Sequence, residues 1–248
     1  MKKTIFALSA VIALSIFSCK KKETTPETPA TNTTSGSPNN FDGLLVAQEL
    51  DVISGGTIVS TNGNSQAIFP SGGFYNSSTI SDGFLGTAFN AGTVSVNSTV
   101  LKPQLQSSNI IYNDTTVTIF SSPYAWSVSG GGGIPAITYT YTGTQPTFTG
   151  WASLQDTVKH TQTTTINLTG VSGADEIVVY VEGGGVASKV ISGTSTSVVF
   201  SPSEMSGISA TTAGTLWITC SKYSIVSLNG KNFKFKTSYG VIKSLVVQ

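Results

Sequence analysis

Two carboxylates two residues apart, Glu49 and Asp51, come closest in this chain to a catalytic pairing. On a strand they share one face, with Leu50 and Val52 on the other. At that spacing two carboxyl groups approach the separation of about 5.5 Å that retaining glycoside hydrolysis uses. Nothing in their neighbourhood argues for burial, so two solvated carboxylates on an outer face are expected. Nucleophilic catalysis has less to work with. The single histidine, His160, stands in the polar run Val158-Lys159-His160-Thr161, which favours an exposed ring, and no Gly-x-Ser-x-Gly elbow accompanies it. One histidine and one cysteine in the folded part do not make the usual zinc ligand sets. Asp175 and Glu176 are adjacent and point to opposite faces of a strand, and Asp82 and Asp114 stand alone, so no metal site is read. The runs Gly130–Gly133 and Gly183–Gly185 neither open a helix nor carry Gly-Lys-Ser/Thr, and read as strand connections rather than phosphate cradles. No cofactor is implied.

Aromatic residues give the one positive hint of binding. In Ile137-Thr138-Tyr139-Thr140-Tyr141-Thr142 the tyrosines share one strand face and the threonines the other, and Trp151 follows soon after. Tyr139, Tyr141 and Trp151, if exposed and coplanar, would form a stacking platform for sugars flanked by hydroxyls and amides. If buried, the same residues are the core face of a strand.

The elements that would position these groups are strands throughout. Short runs rich in Val, Ile, Tyr, Phe and Thr are separated by Gly, Asn, Ser and Asp clusters, and no segment of ten residues keeps a helical period. Expected strands cover residues 44–50, 93–96, 109–112, 115–120, 125–128, 136–142, 163–168, 176–181, 196–200, 215–221, 232–237 and 241–247. Asn229-Gly230 and Asn62-Gly63 each lie between apolar runs and predict hairpins, because both central positions of the favoured tight turn need φ > 0. Phe233 and Phe235 should then face the core, with Lys234 and Lys236 in water. Cys220 alternates with Leu216 and Ile218 and reads as a buried thiol.

The folded part spans residues 41–248, with a boundary expected near 149–156, giving 41–150 and 151–248 as two consecutive antiparallel β-sandwich domains of an all-β protein. The second resembles an immunoglobulin-like sandwich in strand spacing and in the one-turn segment Pro202-Ser203-Glu204-Met205 before the strand of Trp217. All 13 basic side chains are lysine, and from residue 41 onward 8 Lys face 10 Asp plus Glu. Without arginine or a basic stripe, nucleic acid is excluded as a natural partner.

The N-terminus carries the clearest signal. Lys2 and Lys3 precede an apolar run from Ile5 to Phe17, followed by Ser18 and Cys19. A run of thirteen residues is too short for a spanning helix, which needs about 20, and fits a secretory signal. Ile16-Phe17-Ser18-Cys19 resembles the lipobox of bacterial lipoproteins. That resemblance implies cleavage after residue 18 and a lipid on Cys19 that makes the membrane a partner and holds the chain to the outer membrane, facing either the cell surface or the periplasm. Residues 19–40 continue as a Lys, Thr, Pro and Asn tract without a large apolar side chain, and read as a disordered stalk. The stalk, together with Phe89–Asn97, Trp126–Gly130 and Pro135, resembles uncharacterised lipoproteins of the Bacteroidota. Asp114-Thr115-Thr116 and Asp156-Thr157-Val158 resemble the O-glycosylation sequons of that group, which implies modification of Thr115 and Thr157.

These features lead to three expectations. The first is a lipid-anchored, non-catalytic binding or adhesion module of the cell envelope, with a glycan or an envelope protein as partner. The alternative is a structural lipoprotein assembling with other envelope proteins, and third stands an envelope glycan hydrolase.

Overall fold

The computed structural model describes residues 41–54, 57–60, 68–74, 89–106, 109–114 and 122–248. The expected strand at 115–120, the Asn62-Gly63 hairpin, Cys19, the stalk and Thr115 lie outside the described residues. Within them the chain is nearly all β, and its longest helical piece is a 3₁₀ turn at Thr149–Ser153.

Before that turn lie β1 (Gly43–Ser54), β2 (Thr57–Ser60), β3 (Ile68–Phe74), β4 (Val94–Val96), β5 (Thr99–Val100), β6 (Lys102–Gln106), β7 (Asn109–Asn113), β8 (Tyr124–Val128) and β9 (Ile137–Tyr141), then β10 (Thr147–Phe148). After it come β11 (Thr157–Val158), β12 (Thr164–Asn167), β13 (Val171–Ser172), β14 (Glu176–Glu182), β15 (Val186–Ser192), β16 (Ser197–Phe200), β17 (Thr211–Leu228) and β18 (Lys231–Val247).

The β17–β18 hairpin is the backbone of the molecule. Asn229 (φ 51°) and Gly230 (φ 78°) make its turn, the conformation that the dipeptide predicts. From there 18- and 17-residue strands pair almost end to end. β1 lies parallel to β18, from Gly43 beside Phe233 to Ile53 beside Lys243. Gly43 is required at this junction, since a Cβ there would come within 2.7 Å of the Phe233 ring and 2.9 Å of Phe74. The sheet extends as β15-β14-β17-β18-β1-β3-β7-β6, with β2 and β11 pairing the far ends of β1 and β18.

Strand alternation puts the even residues of β17 and the odd residues of β18 and β1 on one face. Two cores sit side by side there. Near the hairpin turn, Leu45, Ala47, Phe233 and Phe235 pack with Phe74 and Tyr112 under a four-stranded sheet, β5-β4-β8-β9, whose Val94, Val96, Tyr124, Trp126 and Tyr141 point down. Further along, Ile53, Leu216, Ile218, Cys220, Val241 and Leu245 pack under the β12–β16 pair and the β10–β13 pair, through Ile166, Val198, Phe200 and Phe148. The boundary expected near 150 coincides with the 3₁₀ turn, but the main sheet crosses it: β1, β3, β6 and β7 come from one side, β14, β15, β17 and β18 from the other. Both cores therefore share one floor.

One expectation about the hairpin is overturned. Lys234 does not reach water: its residue is fully buried, on the face opposite Phe233 and Phe235, and Lys236 is half-buried. Both ammonium groups meet Glu176 of β14, at 3.2 and 2.8 Å, and Lys234 also lies 4.2 Å from the centre of the Tyr223 ring. Burial works to raise the Glu176 carboxyl, but Lys236 and Lys234 outweigh it and hold the group below its ordinary range.

Candidate functional site

The tyrosines of β9 are built into a core. Tyr141 is buried, its hydroxyl donating to the Lys222 carbonyl at 2.9 Å, and burial pushes its phenol up to about 12. Tyr139 is half-buried, its ring 4.3 Å from that of Phe235. Trp151, in the 3₁₀ turn, packs against the other core. The three rings thus belong to two separate clusters and do not form a common exposed platform.

The same alternation gives the opposite face of β9 to hydroxyls. Thr138 and Thr140 are exposed there. Cross-strand register places Thr138 beside Ser127 of β8 and Ser127 beside Ser95 of β4, so three hydroxyl side chains stand in a row across three strands, at steps of about 4.8 Å. Ala125 and Thr140 form the next row. Together with Ser98 they line a shallow groove of about 340 Å³. A second groove of about 510 Å³ shares Ser127 and Thr138 and runs to Leu228 and Asn229 at the tip of the long hairpin.

The groove is fixed from its rim. The Asn97 side-chain carbonyl accepts the Ala125 N–H at 2.7 Å, the Ser129 hydroxyl accepts the Thr93 N–H at 2.7 Å, and the Asn229 amide donates to the Ala136 carbonyl at 2.9 Å. Among the described residues, no Asp, Glu, Lys or His lines either groove. Such a surface donates and accepts hydrogen bonds without charge. Its lining offers the serines no base to activate them for nucleophilic attack.

The carboxylates differ from expectation. Asp51 is 4% exposed and Glu49 half-buried, because the odd residues of β1 face the floor shared by the two cores. Tyr239, beside Glu49 in the parallel ladder, donates its hydroxyl to Asp51 at 2.7 Å. Burial, helped by the Asp51 carboxylate, pushes Glu49 up to about 7. Burial also raises the Tyr239 phenol, and Asp51 adds to the effect. Tyr239 was missed by sequence reasoning because nothing local marks a partner 188 residues away.

His160 is half-buried, and its backbone N–H donates to the Gln248 carbonyl at 2.9 Å. Cys220 is fully buried, and burial pushes its thiol up to about 12. Thr157 is exposed on β11, paired with Val246. Among the described residues no cluster of three or more His, Cys, Asp or Glu could hold a metal ion, and no helix is long and apolar enough to cross a membrane. No protein-family model, curated protein or solved structure matches the chain, so the site is read from its own geometry.

Proposed function

We propose that this chain is a lipid-anchored envelope protein, held to the outer membrane through Cys19, whose folded part is a non-catalytic binding or adhesion module for a neutral glycan. The observation that carries the reading is the hydroxyl row Ser95–Ser127–Thr138 on the open face of the four-stranded sheet, in a groove lined by no charged side chain among the described residues. Neutral sugars are recognised by such donors and acceptors held on rigid strands. The binding strand is the one that the sequence singled out, but the threonine face takes the role first assigned to Tyr139 and Tyr141. In this reading each core with its covering strands is a sandwich-like unit, and the four-stranded sheet is the presenting layer.

A glycan array probed with the full chain tests it. Binding that falls in Thr138→Val/Thr140→Val and survives in Tyr141→Phe supports the reading. Absence of binding to every glycan overturns it.

The second reading, a structural lipoprotein that assembles with other envelope proteins, has its own support in the edge strand β15, which among the described residues pairs with β14 alone. The hydrolase reading rests on Glu49 and Asp51, of which Asp51 is buried and engaged by Tyr239.

A further inference from the structure

The main sheet ends on two strands of different character. β6 carries Lys102 and Pro103, both exposed, and these are devices that discourage further pairing at an edge. β15 carries no proline, and among the described residues its one strand partner is β14. Its one charge, Lys189, is turned to the core side and engaged there. The ammonium donates to the Val199 carbonyl at 2.5 Å, pairs with Glu204 at 2.8 Å and lies 5.4 Å from the centre of the Phe200 ring. The other face of β15 shows Val186 (46% exposed), Ser188 and Val190 (36% exposed). Among the described residues, β15 thus leaves seven residues of edge whose one lysine is neutralised by Glu204 and whose two exposed valines offer a template for strand addition.

The sequence of the edge specifies what would add to it. A two-fold axis perpendicular to the sheet keeps each side chain on its own face, so a residue must meet one of its own parity in the copy. The register of fullest overlap sets Lys189 against Lys189, a like-charge pair directly opposite, which destabilises a ladder. Moving the axis one residue, to Ser188, removes that clash and sets Lys189 against Ala187. It also brings Val186 of each copy against Val190 of the other, so both exposed valines are covered. The cross-strand row through Ser188 continues over Tyr180, Trp217 and Ile242 on the same face, and in this register the rows of two copies join end to end.

We propose that β15 is a self-pairing edge: a second copy of this chain adds its own β15 antiparallel, about a two-fold axis at Ser188, and joins the two main sheets into one. This stands apart from glycan binding at the β8–β9 face, and either can fail without the other.

Disulfide trapping of the full chain in detergent tests it. Ser188→Cys places two thiols across the axis, within the Cα separation of about 4.4–6.8 Å that a disulfide needs. The paired Val186→Cys thiols would lie about 14 Å apart along the strands. Ser188→Cys should therefore form a covalent dimer, Val186→Cys alone should not, and a mixture of Val186→Cys with Val190→Cys should. Cys220 is buried and does not compete, and the wild-type chain, which keeps Cys19, sets the background of crosslinking through that residue. In sedimentation, Val186→Lys/Val190→Lys should weaken association by about tenfold, and Val186→Glu/Val190→Lys, which opposes Glu to Lys across the axis, should restore it. Equal crosslinking of Ser188→Cys and Val186→Cys, or a wild-type chain that sediments as a monomer at every concentration, overturns the proposal.

Discussion

Glu49 makes the folded state dependent on pH in a direction opposite to that of most carboxylates. Burial and the neighbouring Asp51 raise it from 4.5 to about 7 in the folded chain. Below pH 4.5 folded and unfolded chains both hold the proton, and the contribution of protonated Glu49 to stability is fully present. Between 4.5 and about 7 the unfolded chain has released the proton while the folded chain keeps it, so stability falls as pH rises. A shift of that size corresponds to about 3 kcal/mol at most. Because Glu49 is only half-buried, solvent screening reduces the figure, to about 1.5 kcal/mol. The test is urea unfolding of wild type and Glu49→Gln at pH 5 and pH 8. The glutamine amide would keep the neutral shape without a proton to lose, and part of the loss has already occurred at pH 5, so the wild type should lose about 1 kcal/mol more than the variant across that interval. At pH 8 the variant should be the more stable protein. Parallel pH profiles for the two would instead place the Glu49 carboxyl in a solvent-like environment, contrary to its burial beside Asp51.

Two further outcomes follow from buried groups. Glu176→Gln removes the carboxylate that faces buried Lys234 and should cost about 3 kcal/mol in urea unfolding, whereas Lys236→Met, which leaves the Lys234–Glu176 pair in place, should cost about 1 kcal/mol. Equal costs would mean that the pair is not buried as described. Cys220 should resist thiol reagents in the native protein and react at the rate of global unfolding, read by mass spectrometry in increasing urea. Rapid labelling without denaturant would contradict its burial.

Period-2 alternation made much of this architecture legible. The inward Phe233 and Phe235 and the buried Cys220 follow from it, and the Asn229-Gly230 turn follows from the φ > 0 that its two central positions need. Alternation divides a strand into two faces, but it does not say which face meets the core. Ile137-Thr138-Tyr139-Thr140-Tyr141 is amphipathic in either orientation, and only the Tyr139–Phe235 contact, formed with the last hairpin, decides that the hydroxyls look outward. Lys234 misleads for a related reason. A lysine in an alternating strand reads as solvated unless its counter-charge is known, and Glu176 lies 58 residues earlier on another strand. Glu49 and Asp51 look exposed until β18 is laid beside them in parallel register, a pairing of the first described strand with the last. Long-range ladders of this kind carry no local mark, which is why the shared floor of the two cores was not visible as a sequence pattern. The proposed N-terminal lipoprotein signal, by contrast, is read from wholly local residues, and the lipid proposed on Cys19 concerns processing, on which the fold does not bear.

The most direct measurement is hydrogen exchange of the full chain with and without a saturating glycan chosen from the array. Added protection is expected in β8 and β9, around Ser127 and Thr138, with β15 unchanged. Protection confined to other strands, or none while the glycan is bound, would contradict a recognition surface on the hydroxyl face of the four-stranded sheet.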